Sequence, residues 1–268
     1  MMNEFLTKTD DLPIMEYGNY PGSRNIDELI NKGIIIIDKW PGVTSRKVTE
    51  TIKEILEVKK TGHSGTLDPG VTGVLPVAIN EACKAMPILQ NLDKEYIGVM
   101  KIHRDSEKQS ITRAMKKLTG TITQTPPVKS AVARKERKRN VYSFELLEKN
   151  ECDILFHVVC QAGTYVRLLC HEVGEILGIG ANMTELRRTR VGPFTEDMSV
   201  KIQKIEKSFK LWKQSSNNSI RNYVLPIEIA ANGIKNIIVK DSAIYAITHG
   251  SPLYSGGLSK IDKTISKD

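Results

Sequence analysis

The segment Gly62-His63-Ser64-Gly65-Thr66-Leu67-Asp68-Pro69-Gly70 differs in composition from the sequence around it. With three glycines and a proline in nine residues, it is predicted to be a loop. Apolar runs lie on both sides, at Ile34–Ile37 before it and at Gly73–Ile79 after it, and both are predicted to be strands. Loops held between core strands commonly carry binding and catalytic residues. The sequence therefore indicates that this loop is the centre of a functional site.

Asp68 has two interpretations. The sequence Leu-Asp-Pro-Gly is typical of a turn, because Asp starts turns and proline fixes the φ of the residue that follows. On this fragment alone the structural interpretation is favoured. The functional interpretation is a carboxylate on a rigid loop, where it is suited to nucleophilic attack.

Hydrophobic periodicity predicts the other elements. Thr44 or Ser45 is expected to cap a helix that continues to about Leu56. Further strands are predicted at residues 95–103, 141–147, 154–161, 183–191 and 237–239, and further helices at 25–31, 81–90, 110–118, 164–177 and 241–248. Strands and helices do not alternate regularly, and the sequence has neither a P-loop nor a G-x-G-x-x-G motif. This favours an α+β fold with a largely antiparallel sheet over a nucleotide-binding enzyme.

The charge balance favours a polyanionic partner. The 268 residues include 39 Lys and Arg against 31 Asp and Glu, which gives a formal net charge of +8. A basic surface of this kind favours nucleic acid, although many basic proteins bind none.

Cysteine usage and apolar runs bear on the cellular compartment. The four cysteines form no C-x-x-C pair, which favours reduced thiols and argues against a zinc site. The longest apolar run, Ile34–Ile37, is too short to cross a bilayer, and the acidic N-terminal region is unlike a secretory signal. We expect a soluble intracellular protein that does not bind a membrane.

Residues 124–140 are predicted to be a long, exposed loop with a basic cluster at Arg134–Arg139. The cluster is either a solvated loop or a flap that grips phosphates and supplies sequence-independent affinity. We favour the flap, because a basic loop beside a nucleic-acid site increases affinity for any sequence. The residues predicted to bind RNA are Lys129, Arg134, Lys135, Arg137, Lys138, Arg139 and, on the 183–191 strand, Arg188. Residues 213–222 are polar and expected to be mobile.

Several motifs, in the same order along the chain, resemble those of the TruB/dyskerin family of RNA pseudouridine synthases. The loop at 62–70, with the strand that follows it, resembles the catalytic motif of that family. The other motifs are Asp38-Lys39 with Gly42-Val43-Thr44-Ser45, Lys94-Glu95-Tyr96, Gly163-Thr164-Tyr165-Val166-Arg167 and Leu186-Arg187-Arg188-Thr189-Arg190. Segments 20–24, 125–132 and 239–243 most resemble the dyskerin branch, and within it the archaeal catalytic subunit of H/ACA ribonucleoproteins.

The resemblance implies that the chain isomerises uridine to pseudouridine without a cofactor or a metal. It implies that Asp68 is the nucleophile, that Arg167 pairs with Asp68 and keeps it ionised, and that Tyr96 stacks on the base. The implied substrate-binding residues are His63, Tyr165 and Leu186. Taken singly, Tyr96 and Leu186 are typical of core packing, Arg167 of a solvated helix face and His63 of a loop.

The resemblance also implies a pseudouridine synthase fold, with a mixed, mainly antiparallel sheet flanked by helices. The predicted division is an N-terminal extension at 1–32, a catalytic domain at 33–235 and a partial PUA domain at 236–268. A PUA domain is a small RNA-binding barrel, and the resemblance implies that it is truncated here.

Three functions are compatible with these motifs. The favoured one is guided modification of rRNA, and also of tRNA, with H/ACA guide RNA and small H/ACA ribonucleoprotein proteins as partners. The expected location is the cytoplasm for an archaeal-like source and the nucleolus for a eukaryotic one. The alternative within enzymes is guide-independent modification of the TΨC loop of tRNA. The alternative of another class is a non-catalytic RNA-binding scaffold, which the joint presence of Asp68, Tyr96 and Arg167 disfavours.

Overall fold

A mixed sheet of ten strands organises most of the chain. The computed structural model describes residues 5–7, 20–126, 135–215, 217–232 and 234–265. Its strands are β1 (Phe5–Thr7), β2 (Gly33–Lys39), β3 (Thr61–His63), β4 (Thr72–Ile79), β5 (Lys94–Ile102), β6 (Gly120–Gln124), β7 (Arg137–Asn150), β8 (Asp153–Cys160), β9 (Ala181–Val191), β10 (Phe194–Thr195), β11 (Leu225–Pro226), β12 (Ile237–Val239) and β13 (Leu258–Asp262). Its helices are α1 (Ile26–Asn31), α2 (Ser45–Ile55), α3 (Met86–Asn91), α4 (Lys108–Lys117), α5 (Val166–Leu177), α6 (Ile202–Ser215) and α7 (Asp241–Thr248).

The order of the strands in the large sheet is β11-β2-β4-β9-β5-β8-β7-β6, with β3 paired to β4 and β10 to β9. Neighbouring strands are antiparallel except at β4 and β9, which run parallel with Thr72 opposite Arg187 and Gly73 opposite Arg188. Gly73 has a φ of +100°, and a Cβ there would lie 2.2 Å from the carbonyl oxygen of Arg188. A side chain at this position would therefore prevent the parallel join. The predicted α+β fold with a mainly antiparallel sheet is confirmed.

The sheet is buried on two faces around β2 and β4, which explains their unbroken apolar sequences. Ile35 and Ile37 of β2 pack into the larger core with α2, α5 and α6, while Ile34 and Ile36 pack into a smaller core on the opposite face. Farther along the sheet, β5 and β8 alternate between buried and more exposed residues. The N-cap prediction for α2 is confirmed, since the Thr44 hydroxyl accepts a hydrogen bond from the Lys47 N–H at 3.1 Å.

A β-bulge between β5 and β9 decides where two arginines point. Glu95 lies opposite Arg190 and Tyr96 lies opposite Arg188, so the residue between the two arginines, Thr189, has no partner on β5. In a regular strand, residues two apart share a face, but one extra residue reverses that relation. Arg188 therefore lies on the Tyr96 side of the sheet, while Arg190 donates to the Glu95 carboxylate at 2.7 Å.

Two predicted segments differ from the structure. The basic segment 124–140 is not one long loop, because β6 includes Gln124 and β7 begins at Arg137. These polar hairpin strands lack the apolar alternation that identifies a strand in sequence. Residues 213–222 contain the end of α6 and a short 3-10 helix, Asn218–Asn222, which buries Ile220 in the core. Lys129 and Arg134 lie outside the described residues.

The chain after residue 236 contributes to a second, three-stranded sheet with the order β1-β13-β12. The predicted strand at 237–239 and helix at 241–248 are both present. Within the residues that the structure describes, no helix is long and apolar enough to cross a bilayer.

Candidate active site

A cavity of about 560 Å³ lies where the 62–70 loop, β5, β9 and the start of α5 meet. It brings together residues that are far apart in sequence. The predicted site residues that line it are Asp68, Tyr96, Tyr165, Arg167, Leu186 and Arg188.

Asp68 and Arg167 form an ion pair at the cavity. The guanidinium NH1 of Arg167 lies 3.1 Å from Oδ2 of Asp68, and about half of each side chain is exposed. An exposed pair of this kind contributes little to folding stability. The pair instead fixes the direction of the carboxylate.

Buried anchors hold the Asp68 loop on both sides. The fully buried Lys39 ammonium donates to the carbonyl oxygens of Trp40 at 3.1 Å, Pro69 at 3.0 Å and Val71 at 2.7 Å. On the other side of Asp68, the Ser45 hydroxyl accepts from the Leu67 N–H at 2.8 Å and donates to the Leu67 carbonyl at 3.2 Å. Because the main chain is bound immediately before and after Asp68, the carboxylate has a rigid support.

Tyr96 and Leu186 form neighbouring walls of the cavity, and each is less than a tenth exposed. Burial raises the pKa of the Tyr96 phenol, so the ring is neutral over the physiological range. Leu186 lies opposite Gly98 of β5, and a Cβ at Gly98 would lie 2.7 Å from Cδ1 of Leu186. The glycine therefore makes room for the apolar wall.

The segment from Gly163 to Arg167 is fixed to β6 by a buried amide. Nε2 of Gln124 donates to the Tyr165 carbonyl at 3.2 Å, and Oε1 accepts from the Tyr165 N–H at 2.9 Å. Gln124 is 3% exposed. This side chain therefore sets where α5 begins and where Arg167 meets Asp68.

Arg188, which the sequence predicts to bind RNA, is buried at the cavity, and its contact with RNA stays a prediction. Its side chain is 1% exposed because the bulge at Thr189 directs it inward. Nε donates to the Val74 carbonyl at 2.7 Å and NH2 to the Gly65 carbonyl at 3.3 Å. The guanidinium also interacts with the phenol of Tyr96. Arg188 therefore links the loop to β5 from beneath the cavity.

Lys94 is a second buried cation at the cavity, with 4% of the residue exposed. Its ammonium donates to the carbonyl of Gln90 at 2.8 Å and to that of Leu92. Burial, followed by the nearby charge of Arg188, lowers its pKa to about 8. Reasoning from sequence assigned no role to Lys94 or Gln124, although both stand beside residues that it singled out.

His63 lies on β3 and is not among the residues that line the cavity. Its Nδ1 is buried and has no hydrogen-bond partner among the described residues, and burial followed by the charge of Arg188 lowers its pKa. The imidazole is therefore neutral at physiological pH. Its predicted contact with the substrate stays a prediction.

The described residues of the basic cluster lie on or just before β7. Lys135 and Lys138 are exposed, whereas Arg137 and Arg139 are half-buried. Arg139 lies against the cavity segment, since a Cβ at Gly163 would be 3.0 Å from its Nε. The cluster therefore adjoins the wall formed by residues 163–167.

The described part of the chain contains no group of three or more His, Cys, Asp or Glu side chains that could hold a metal ion. The groups that converge are a carboxylate, a guanidinium, a phenol and an apolar wall. A carboxylate held in this way can act as a nucleophile. An aromatic ring beside an apolar side chain can bind an unstacked base in the cavity.

Comparison with protein families identifies the fold. Residues 53–166 match the model described as "TruB family pseudouridylate synthase (N terminal domain)", and residues 167–232 match the "tRNA pseudouridylate synthase B C-terminal domain". The chain belongs to the TruB family of pseudouridylate synthases. The resemblance seen in the motifs is thereby confirmed, and the class of enzyme with it.

Relatives of this TruB-family chain match it over nearly its whole length. Proteins named "Probable tRNA pseudouridine synthase B" from Archaeoglobus fulgidus and Methanococcus aeolicus are 43% and 45% identical to it. The alignments cover 100% and 99% of this chain and 82% and 80% of those proteins.

Two solved structures share the fold of this TruB-family chain. One is described as a Cbf5–Nop10–Gar1 complex, with a TM-score of 0.93 and 40% identity over 100% of this chain and 82% of that one. The other is described as an H/ACA ribonucleoprotein bound to a substrate RNA containing 2′-deoxyuridine, with a TM-score of 0.90 and 38% identity over 99% of this chain and 82% of that one. The predicted likeness to the dyskerin branch agrees with both.

Proposed function

We propose that this chain converts uridine to pseudouridine in RNA as the catalytic subunit of a guide-RNA ribonucleoprotein, with Asp68 as its nucleophile. One arrangement carries the proposal: the Asp68 carboxylate, paired with Arg167 at 3.1 Å, lies at a cavity whose walls include Tyr96 and Leu186. Its volume of about 560 Å³ is in the range of pockets that enclose small ligands, and a nucleoside is such a ligand.

The proposed reaction is an isomerisation, so every atom of the uridine is kept. A carboxylate oxygen of Asp68 attacks C1′ of the ribose as the bond from C1′ to N1 breaks, and the electron pair leaves with the base. The base then turns in the cavity, and C5 bonds to C1′ as the carboxylate departs. N1 gains a proton and C5 loses one, which balances the reaction without an oxidant or a co-substrate.

The other cavity residues have proposed roles that follow from their positions. Arg167 holds the carboxylate directed into the cavity. Tyr96 stacks on the base and Leu186 supplies an apolar wall beside it, while Tyr165 contacts the nucleotide from the start of α5. A uridine within an RNA stack cannot reach Asp68, so the target nucleotide must be turned out of its helix.

The basic cluster supplies a proposed surface for the phosphates near that nucleotide. Lys135 and Lys138 are exposed, and Arg139 lies against the cavity segment at Gly163. Cations placed here neutralise phosphates regardless of base sequence. Specificity for one uridine then comes from a partner, and pairing with a guide RNA is a direct way to provide it.

Dependence on a guide is supported by the solved relatives, which are described as Cbf5 with Nop10 and Gar1 and as an H/ACA ribonucleoprotein on substrate RNA. We therefore propose small proteins of those two kinds and a guide RNA as partners. The names of the curated relatives favour a second candidate function, in which the chain modifies tRNA without a guide.

One assay separates the two candidates. Pseudouridine is measured in an rRNA fragment and in a tRNA transcript, each with the chain alone and with the chain plus guide RNA and both proteins. If the function is guided, pseudouridine forms in the rRNA fragment only when the guide RNA and both proteins are present. Product in tRNA with the isolated chain supports the second candidate.

The same assay tests Asp68. The Asp68→Asn variant should form no pseudouridine in any assembly and should still bind RNA, because the amide keeps the shape of the carboxylate but is a poor nucleophile. Asp153→Asn, on an exposed residue of β8, is the matched control and should be fully active. Wild-type activity in Asp68→Asn would show that Asp68 is not the nucleophile.

A further inference from the structure

The floor of the cavity contains more positive charge than binding a neutral base requires. Lys94 is 4% exposed and Arg188 is 1% exposed, and both line the cavity. They are close together beside Gly65, since a Cβ built there would lie 3.7 Å from NH1 of Arg188 and 3.9 Å from Cε of Lys94. This pair is called the cationic floor below.

No ion pair with a described residue neutralises the cationic floor. Lys94 donates to the carbonyls of Gln90 and Leu92, and Arg188 donates to those of Val74 and Gly65. In the described part of the chain neither forms a salt bridge with a carboxylate, although the charge of Asp93 acts on Lys94. Removing a cation from water without a counter-ion is costly, and groups perturbed in this way concentrate at functional sites.

The reaction itself supplies a transient counter-ion. When the bond from N1 to C1′ breaks, its electron pair stays on the base, so a neutral uracil becomes an anion for part of the reaction. Fixed charges that already point at the position of a developing charge lower the barrier, because they need no reorganisation. The stacked ring of Tyr96 would hold the base over the cationic floor, since Arg188 interacts with the Tyr96 phenol.

We propose that Lys94 and Arg188 stabilise the uracil anion that forms when the glycosidic bond breaks. The inference rests on the proposed function, and it assigns to the cationic floor a role distinct from that of the Asp68–Arg167 pair. The lowered pKa of Lys94, caused by burial and then by the charge of Arg188, agrees with it, because an anion that forms nearby would favour the charged ammonium.

The experiment compares leaving groups in the complete assembly. RNA with 5-fluorouridine at the target position has a base whose anion is more stable, because fluorine withdraws electrons, so cleavage depends less on the floor. Single-turnover rates of loss of uridine and of 5-fluorouridine are measured for the wild type, Lys94→Met and Lys94→Gln. Lys101→Met, on an exposed residue of the same strand, is the matched control.

We expect Lys94→Met to slow the loss of uridine by about 100-fold, the effect typical of removing one preorganised donor. The loss of 5-fluorouridine should slow by a smaller factor, and Lys101→Met should match the wild type on both. Lys94→Gln keeps a donor without a charge and should repeat the result, so it carries the test if the Met variant does not fold.

An equal loss of rate on both bases would overturn the inference, because a merely structural lysine affects both substrates alike. An unchanged rate in both Lys94 variants would overturn it as well. A wild-type assembly that converts neither substrate would instead refute the proposed function, so the two failures are distinguishable.

Discussion

The side-chain amide of Gln124 is hydrogen-bonded to both main-chain groups of Tyr165, with distances of 2.9 Å to the N–H and 3.2 Å to the carbonyl. The two residues are 41 positions apart, and the bonds tie β6 to the start of α5. Tyr165 and Arg167 depend on this tie for their positions.

Gln124→Ala should lower both stability and activity. The Tyr165 N–H would lose its bond to Gln124, and the Tyr165 carbonyl would keep only its bonds from the helix N–H groups of Leu168 and Leu169, which costs about 1–3 kcal/mol of unfolding free energy. The rate of uridine conversion should also fall, because Arg167 loses its fixed distance to Asp68. Urea denaturation and single-turnover assays measure the two effects, with the exposed Gln109→Ala as control. Unchanged activity at reduced stability would limit Gln124 to a folding role.

Arg167→Met should separate activity from stability. The exposed pair with Asp68 contributes at most about 1 kcal/mol to folding. The carboxylate would nevertheless lose its orientation, and misplacement of a reacting group costs about 100-fold in rate. Arg46→Met removes another exposed Arg–acid pair, with Glu50, and should leave the rate unchanged. A loss of more than about 1 kcal/mol in unfolding free energy with an unchanged rate would contradict this account.

Lys94 should make stability depend on pH in alkaline solution. Its pKa is lowered in the folded state from 10.5 to about 8, chiefly by burial and then by Arg188. Between these values the unfolded chain binds a proton that the folded chain does not, so the contribution of Lys94 to stability rises with pH. The unfolding free energy of the wild type, relative to Lys94→Met, should increase by up to about 3 kcal/mol from pH 8 to 10.5. A difference that stays flat across that interval would exclude the lowered pKa.

Neutralising the described basic cluster should weaken the salt dependence of RNA binding. Changing Lys135, Arg137 and Lys138 to Gln removes up to three phosphate contacts, so the slope of log K against log salt should become shallower by up to about 2 to 3. The matched control is the triple change to Gln at Lys201, Lys204 and Lys207, exposed residues at or near the start of α6. Equal slopes in the two triple variants would show that the cluster is a solvated surface that does not contact phosphates.

The motifs predicted the cavity residues well because each motif is short and its chemistry is local. Asp68, Tyr96, Arg167 and Leu186 all reach the same cavity. The inward direction of Arg188 could not be predicted, because simple alternation gives it the same face as Arg190, and nothing local marks Thr189 as a bulge. Its direction is decided by the pairing with β5, which is a long-range contact.

The other elements differ in whether the sequence contains a pattern that identifies them. Helix α6 could have been predicted, because Ile202, Ile205 and Phe209 have helical spacing and are buried. The start of β7 could not, because Arg137 to Asn140 are polar on both faces and are held by pairing with β6. Lys39 and Lys94 look like surface residues in sequence, and their burial follows from main-chain carbonyls that the folded loops direct at them.

The parallel join of β4 and β9 consists of the pairs Thr72–Arg187 and Gly73–Arg188. On one side of this seam lies the strand that follows the Asp68 loop, and on the other lie Tyr96, Leu186 and the segment that leads to Arg167. The two antiparallel parts of the sheet must therefore pair along this seam before acid and guanidinium can face each other. Such distant pairing is slow to form, so a nascent or partly unfolded chain would contain every site residue and still have no active site.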